Sequence, residues 1–356
     1  MKTIPVAQLQ SYVAEIFTKA GCSAAEGKRI AHYLTQANLV GHDSHGVIRV
    51  PRYVEALKAG TVLADQTIDK VIDTPVLAVV DGKYGFGQTV TPQAVQLGID
   101  KAKQSGVAVI ALRHSGHLGR AGDWAEMAAA AGLISIHFVN VAGSLLVAPF
   151  GGVERRISTA PFCVGVPMPN GQQALILDFA TALVAEGKVL VASNGGKKVP
   201  DNAMIELDGR MSGDPTTLYG PIAGTSARLP QNGKGAIRTF GEHKGSGLAF
   251  MCEILGGALT GGGTCGPGPR QLANGMLSIY MSPDFFGSDH AYAEEARNYI
   301  EFFKSAKPAT AGGEVLIPGE TEARNRADRT KNGVPLQDDT WAAIQAAGES
   351  VGVRLT

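Results

Sequence analysis

From about residue 76 onward the chain alternates between two hydrophobic periods, and this constrains its fold more than any other feature. "VLAVVDG" has the short apolar pattern of a strand, "TPQAVQLGIDKAKQSG" the spacing of a helix, and "VAVIAL" that of a second strand. After the loop "RHSGHLGRAG", "DWAEMAAAAG" reads as helix and "LISIHFVN" as strand. A glycine- and proline-rich stretch then runs to "ALILDFATA". It is followed by a helix in "GSGLAFMCEILGGAL", a strand in "GMLSIYM" and an amphipathic helix in "HAYAEEARNYIEFFKSA". Such alternation predicts an α/β core. Ahead of it, "VAQLQSYVAEIFTKAG" is helical and ends on Gly21 as a C-cap. "SAAEGKRIAHYLTQANLVG" opens with Ser23 and Glu26 at capping-box spacing and closes at Gly41. The expected organisation is a helical N-terminal region over 1–75, an α/β core over 76–285, and a C-terminal helical segment over 286–356 that packs back on the N-terminal region.

Composition narrows the function classes. Lys plus Arg equals Asp plus Glu at 32 each, so no bulk field draws nucleic acid or an anionic membrane, and neither is expected as a partner. No apolar run reaches the length of a membrane span. The four cysteines (Cys22, Cys163, Cys252, Cys265) lack CxxC spacing and no charged-then-apolar leader is visible, which predicts reduced thiols and a cytoplasmic location. Glycine, at 46 of 356 residues, is about twice its usual share and clusters at segment ends, as expected for many close-packed turns, some facing a ligand.

Alternating strands and helices invite a search for a nucleotide site. "GGGTCG" at 261–266 satisfies G-x-G-x-x-G, but it follows a helical segment and leads into "PGPR", which cannot open a helix. The pyrophosphate fingerprint needs a strand before it and a helix after it. No other stretch fits better, so any NAD or NADP site here lacks the Rossmann signature.

Two histidine pairs stand out instead, His42/His45 in "GHDSHGVIRVPRY" and His114/His117 in "RHSGHLGRAG". A zinc site would draw on His42, Asp43, His45 and one of His114 or His117. Arg49, Arg52, Arg113 and Arg120 crowd both pairs, which is poor company for a dication, so no metal is expected. Arg49, four residues past His45, suits a two-point grip on a carboxylate. A histidine and an arginine in one loop make an acid/base beside an anion clamp. That pair suits the interconversion of a 2-oxo acid and its hydroxy acid, with a cofactor handling the hydride.

At this point the residues resemble a known family. "GHDSHGVIRVPRYVEALKAG", "SGHLGRAGDWAEMA", "APFGGVERRISTAPFCVGVPMP", "LDFATALVAEGKV", "HKGSGLAFMCEIL" and "LIPGE" match, in order, the malate/L-lactate dehydrogenase family that is unrelated to the Rossmann enzymes of those names. Ureidoglycolate, sulfolactate and diketogulonate oxidoreductases and a piperideine-2-carboxylate reductase belong to it. The resemblance runs from the first helices to about residue 330. It implies the L-sulfolactate dehydrogenase-like fold, with a mixed, largely antiparallel sheet flanked by helices, together with NAD or NADP as cofactor and a homodimer. It also implies roles by position. His45 is the proton donor or acceptor, with Ser44 as its hydrogen-bond partner, and Arg49 clamps the substrate carboxylate. His117, Leu118, Gly119, Arg120 and Ala121 lie along the cofactor, His117 close to substrate in some members. Thr159 contacts substrate. Asp178, Phe179 and Ala180 border the nucleotide, as do His243 and Lys244, and Pro318, Gly319 and Glu320. For Asp178 the alternative is a strand-end residue capping the next helix through Thr181.

Three positions bear on substrate. Family members commonly carry Asn where this chain has Gly116 and Ala160, so the usual malate or lactate need not be the ligand. Lys188, in "AEGKV", follows the hydroxyacid-dehydrogenase pattern, whereas the cyclic imine reductases tend to have aspartate there. The expected activity is interconversion of a 2-hydroxy acid of L configuration and its 2-oxo acid. The alternatives are a cyclic 2-imino acid reductase and, further off, a metal-dependent hydrolase or lyase.

Overall fold

The computed structural model describes residues 1–168, 172–221, 229–268, 270–287 and 291–354. Two expected segments touch the remainder: His290, which opens the last amphipathic segment, and Pro169, which ends the longest motif, lie outside the described residues.

The N-terminal helices form as the spacing predicts, over Val6–Ala20 and Ala24–Leu39, with Gly21 at φ 120 closing the first. Only half of the capping box forms. Ser23 Oγ accepts the Glu26 N–H at 3.2 Å, while the Glu26 carboxylate turns away to accept the Asp65 N–H at 2.6 Å. This region builds its own core with the C-terminal end of the chain. Strand Lys2–Ile4 pairs antiparallel with Val334–Leu336, and Trp341 and Ile344 of helix Asp338–Glu349 pack among Tyr12, Ile16 and Leu34.

The middle of the chain holds the sheet. Its seven strands run in the spatial order Asp69–Asp73, Leu77–Asp81, Val107–Ser115, Ala273–Met281, Ile134–Ala142, Pro161–Val166, Leu175–Ala180. The single parallel pair, Leu77–Asp81 with Val107–Ser115, is bridged by the crossover helix Gly87–Ser105; every other neighbour is antiparallel. This is the mixed, largely antiparallel sheet expected, not a Rossmann arrangement. The reason lies at strand Ala273–Met281, which comes late in sequence and inserts antiparallel into the centre, where a doubly wound fold would place parallel strands. Trp124 of helix Ala121–Ala130 and Val95 and Ile99 of the crossover helix fill the core above the sheet. A third cluster, around Val147, Val189, Leu218 and Ile237, surrounds a small sheet of three two-residue strands.

Three local readings need correction. "RHS" is not loop but the end of strand Val107–Ser115. "GSGLAFMCEILGGAL" is α-helical only as far as Cys252; Glu253–Ala258 widens into a π-helix. Strand Asp69–Asp73 falls inside the region expected to be helical; it is exposed along its length, and an edge strand without a buried face lacks a clear period-2 pattern.

One close approach ties the crossover helix to the loop after strand Val107–Ser115. At buried Gly87, the first helical residue, a Cβ would overlap the Leu118 Cα and the His117 carbonyl oxygen. Both neighbours are backbone and cannot rotate away. Gly87→Ala is therefore expected to lower stability by about 1–3 kcal/mol, the usual cost of overpacking, seen as a lower urea midpoint at unchanged slope.

Candidate functional site

The segment after helix Ala24–Leu39 folds into two consecutive 3-10 turns, Asp43–His45 and Val47–Arg49, before Val50–Lys58 continues as α-helix. Asn38 sets this path. Its Oδ1 accepts the Val47 N–H at 2.8 Å, and its Nδ2 donates to Asp43 Oδ1 at 2.6 Å. Gly46 is required there, because a Cβ would overlap the Asn38 carboxamide. From the other end of the chain, Arg329 grips the same Asp43 at 2.7 Å.

This path delivers Ser44, His45, Arg49 and Tyr53 to a cavity of about 1060 Å³. Ser44 Oγ lies 3.0 Å from His45 Nδ1. Arg49 donates through Nε to the Ser44 carbonyl oxygen at 2.6 Å, which fixes the guanidinium plane, and its Nη1 stands 3.6 Å from Glu186 Oε2. Across the cavity, His117 places its ring parallel to that of His45, with centroids 5.6 Å apart and 15° between planes. His117 Nδ1 meets the Tyr53 hydroxyl at 2.6 Å, and Gln88 donates to that hydroxyl at 3.2 Å.

Burial dominates the electrostatics. It holds His45 well below its ordinary pKa, aided by the neighbouring His117 and Arg49, and with Arg49 and Arg52 it pushes His117 down to about 3. Burial pushes the Tyr53 phenol up to about 12, so it stays protonated. Both rings are neutral near pH 7.

The wall beyond His117 is formed by Gly119, Arg120 and Ala121 at the start of helix Ala121–Ala130, and by Asp178, Phe179 and Ala180. Arg120 is fully buried. Its Nη1 donates to Asp123 at 2.9 Å and to Glu126 at 2.8 Å, and its Nε lies 3.6 Å from Asp178. Burial opposes the charge, but Asp123, Glu126 and Asp178 together hold the guanidinium above its ordinary pKa. Asp178 does cap a helix, though not through Thr181: its Oδ2 accepts the Gly122 N–H at 2.7 Å, on a helix earlier in the chain. The Thr181 hydroxyl instead donates to the Thr159 and Ala160 carbonyls at 3.0 and 2.9 Å. Thr159 and Lys188 line the same cavity.

Not every expected residue converges here. Leu118 is buried in the sheet core, its N–H held by Asn274 Oδ1 at 3.0 Å. His243 and Lys244 are exposed at the start of helix His243–Cys252, where His243 meets Phe150 edge-on. Gly319 precedes helix Glu320–Asn332 at φ 95, and Glu320 accepts the Ile317 N–H at 3.0 Å. None of these, nor Pro318, lines the cavity. The second histidine pair is split: His114 turns away at φ 50, bonds Asp81 at 2.9 Å and stacks on Tyr84. Among the described residues no three His, Cys, Asp or Glu side chains gather as metal ligands.

Sequence reasoning missed Tyr53, Gln88 and Glu186. Glu186 is buried, lies 3.6 and 3.8 Å from Arg49 and Arg52, and accepts the Tyr219 hydroxyl at 2.9 Å. Tyr53 had a usable signal, since it follows Arg49 by four residues at the start of a helix and so shares its face.

Residues 4–345 match the family model described as malate/L-lactate dehydrogenase. The chain belongs to the malate/L-lactate dehydrogenase family. It is 39% identical over 350 residues to hydroxycarboxylate dehydrogenase B of Escherichia coli (strain K12), covering 97% of this chain and 93% of that protein. A solved structure described as a malate/lactate dehydrogenase from E. coli superposes with a TM-score of 0.91 at 37% identity, over 99% of this chain and 96% of that one. Sulfolactate dehydrogenase from Methanocaldococcus jannaschii gives 0.83 at 30% identity, over 99% and 98%. The Δ1-piperideine-2-carboxylate reductase from Pseudomonas syringae pv. tomato gives 0.80 at 26% identity, over 98% and 100%. The fold of this dehydrogenase family is thus the one built here.

Asp178 serves two buried partners at once, a helix N-terminus and Arg120. Asp178→Asn keeps an acceptor for Gly122 but removes a charge beside the buried guanidinium. A loss of about 1–3 kcal/mol in urea unfolding is expected.

Proposed function

We propose that this dehydrogenase interconverts a 2-hydroxy acid of L configuration and its 2-oxo acid, with NAD or NADP as hydride carrier. The observation that carries the reading is one cavity shared by the His45 imidazole and the Arg49 guanidinium, each fixed by Ser44. Arg49 grips the substrate carboxylate, and Thr159 and Lys188 complete the substrate's surroundings. With Nδ1–H donated to Ser44 Oγ, the His45 Nε2 lone pair takes the proton of the C2 hydroxyl during oxidation and returns it during reduction.

A nicotinamide dinucleotide suits the neighbouring wall. The buried Arg120 leaves Nε and Nη2 without hydrogen-bond acceptors among the described residues, and Gly119, at φ 77, lines the cavity with bare backbone. The cavity slightly exceeds the about 300–1,000 Å³ usual for small-molecule sites, room for more than a small acid. Gly119, Arg120, Ala121, Asp178, Phe179 and Ala180 would hold the cofactor, which when bound supplies or accepts the hydride at C2. His243, Lys244, Pro318, Gly319 and Glu320 could join them only through parts of the cofactor that extend outside this cavity. Exposed Tyr299, Phe302 and Phe250 leave apolar surface that supports a homodimer. Four free thiols, and no helix among the described residues long and apolar enough to cross a membrane, support a cytoplasmic setting.

A second reading, reduction of a cyclic 2-imino acid, is favoured by the similarity to the P. syringae reductase. Assaying 2-oxo acids and piperideine-2-carboxylate side by side with NADH and NADPH separates the two. Turnover of the imine alone would displace the hydroxy-acid reading.

His45→Ala is expected to lower kcat at least about a hundredfold with folding intact; near-normal turnover would remove His45 from the proton transfer. Arg49→Lys keeps the charge and loses the planar fork, so KM should rise strongly, and an unchanged KM would place the carboxylate elsewhere. The depressed His45 pKa gives a signed pH dependence. The neutral ring survives well below pH 6.5, so kcat/KM for oxidation stays flat through that range and falls only at lower pH. A bound carboxylate offsets the Arg49 charge and raises the His45 pKa, so the ionisation read from kcat lies higher than that from kcat/KM. One shared ionisation near 6.5 in both profiles would contradict this assignment.

A further inference from the structure

The two stacked histidines are wired differently. His45 Nδ1 faces a serine hydroxyl, which can donate or accept. His117 Nδ1 faces the Tyr53 hydroxyl, and the direction of that hydrogen bond is set from behind. Gln88, fully buried, places its Nε2 3.2 Å from the Tyr53 oxygen and 3.3 Å from the His117 carbonyl oxygen. A carbonyl oxygen only accepts, so the amide must turn its NH₂ towards this pair, and a flipped amide would face the carbonyl with a second acceptor. With one lone pair of the phenol oxygen taken by Gln88, the phenol proton has two destinations, His117 Nδ1 at 2.6 Å or the His117 carbonyl at 3.4 Å. The shorter contact takes it. A nitrogen that accepts carries no proton, so the neutral ring keeps its proton on Nε2. No protein acceptor among the described residues reaches that Nε2, and the ring lines the cavity.

We infer that the Gln88–Tyr53 relay locks His117 as a neutral Nε2–H donor, which makes it the group that hydrogen-bonds a substrate oxygen while His45 alone carries the reaction's proton. His117 then forms no bond and gives up no proton. Its donor strengthens as charge develops on the oxygen, and a neutral imidazole does this without adding a cation beside Arg49 and Arg52. Tyr53 and Gln88 are positioning residues. The division of roles rests on the hydroxy-acid reading; the tautomer does not.

The full-length, ligand-free protein with ¹⁵N-labelled imidazoles tests the lock by long-range ¹H–¹⁵N correlation, with His117→Gln identifying the resonances. The expected result is a bare Nδ1 and a protonated Nε2 for His117, unchanged between roughly pH 5 and 8. In Tyr53→Phe, Nδ1 should shift towards the protonated range as both tautomers populate, and kcat/KM should fall about tenfold, the scale of one misdirected hydrogen bond. A protonated Nδ1 in the wild-type protein, or a ring that titrates in that range, overturns the lock. If Tyr53→Phe does not fold, the wild-type spectrum still decides. The expected tautomer with unchanged Tyr53→Phe kinetics overturns the substrate-oxygen role. A correct tautomer without turnover of any 2-hydroxy or 2-oxo acid defeats the hydroxy-acid reading and leaves the lock standing.

Discussion

Two imidazoles lying parallel 5.6 Å apart, carried on loops from two different cores, constrain everything around them. Each loop must be held to a fraction of an ångström, and the chain does so with hydrogen bonds from buried amides and with missing side chains. On one side, Asn38 and Gly46 shape the turn that carries His45. On the other, Gly87 lets the crossover helix touch the backbone at His117, Asn274 holds the Leu118 N–H, and Asp178 caps the helix that follows. Close backbone approach leaves no adjustable side chain between the elements, so these positions transmit displacement directly.

The charges are arranged to survive in this dry interior. Arg120 would be costly alone, but Asp123, Glu126 and Asp178 surround it, and Arg326 from helix Glu320–Asn332 reaches Glu126 at 2.7 Å. Glu186 answers Arg49 and Arg52 at distances beyond close hydrogen bonding, 3.6 and 3.8 Å. That looser pairing leaves guanidinium donors available to an incoming anion, whereas the Arg155 donors are consumed by the carbonyls of Gly235, Pro230, Leu218 and Gly233. Two arginines in one cavity wall thus differ in kind: Arg155 is a staple of the small sheet, and Arg49 is open to ligand.

Much of this was legible in the sequence, and the limits have physical causes. Helical and strand periods placed the N-terminal helices, the crossover unit and the central strands, because each buries one face against a neighbour. The strand order was not legible from those periods: pairing partners far apart in sequence, such as Ala273–Met281 between Val107–Ser115 and Ile134–Ala142, leave no local trace. Within the site, "SHG" with an arginine four residues on gave His45 and Arg49. Spacing alone did not separate His114 from His117. They part because the strand continues to Ser115, so His114 belongs to a strand end and His117 to the loop beyond it. Gln88 was invisible: a buried glutamine on a helix reads as surface until the phenol it serves is seen.

The backbone limits the side chains that positions 116 and 160 can carry. Gly116 donates its N–H to the Gly85 carbonyl at 2.8 Å, and a Cβ there would come within 2.7 Å of that same oxygen. An asparagine could not enter without moving the strand-end loop and His117 with it. Ala160, buried with φ 31, occupies a backbone region that asparagine tolerates better than alanine, so its side chain was not chosen for conformational ease.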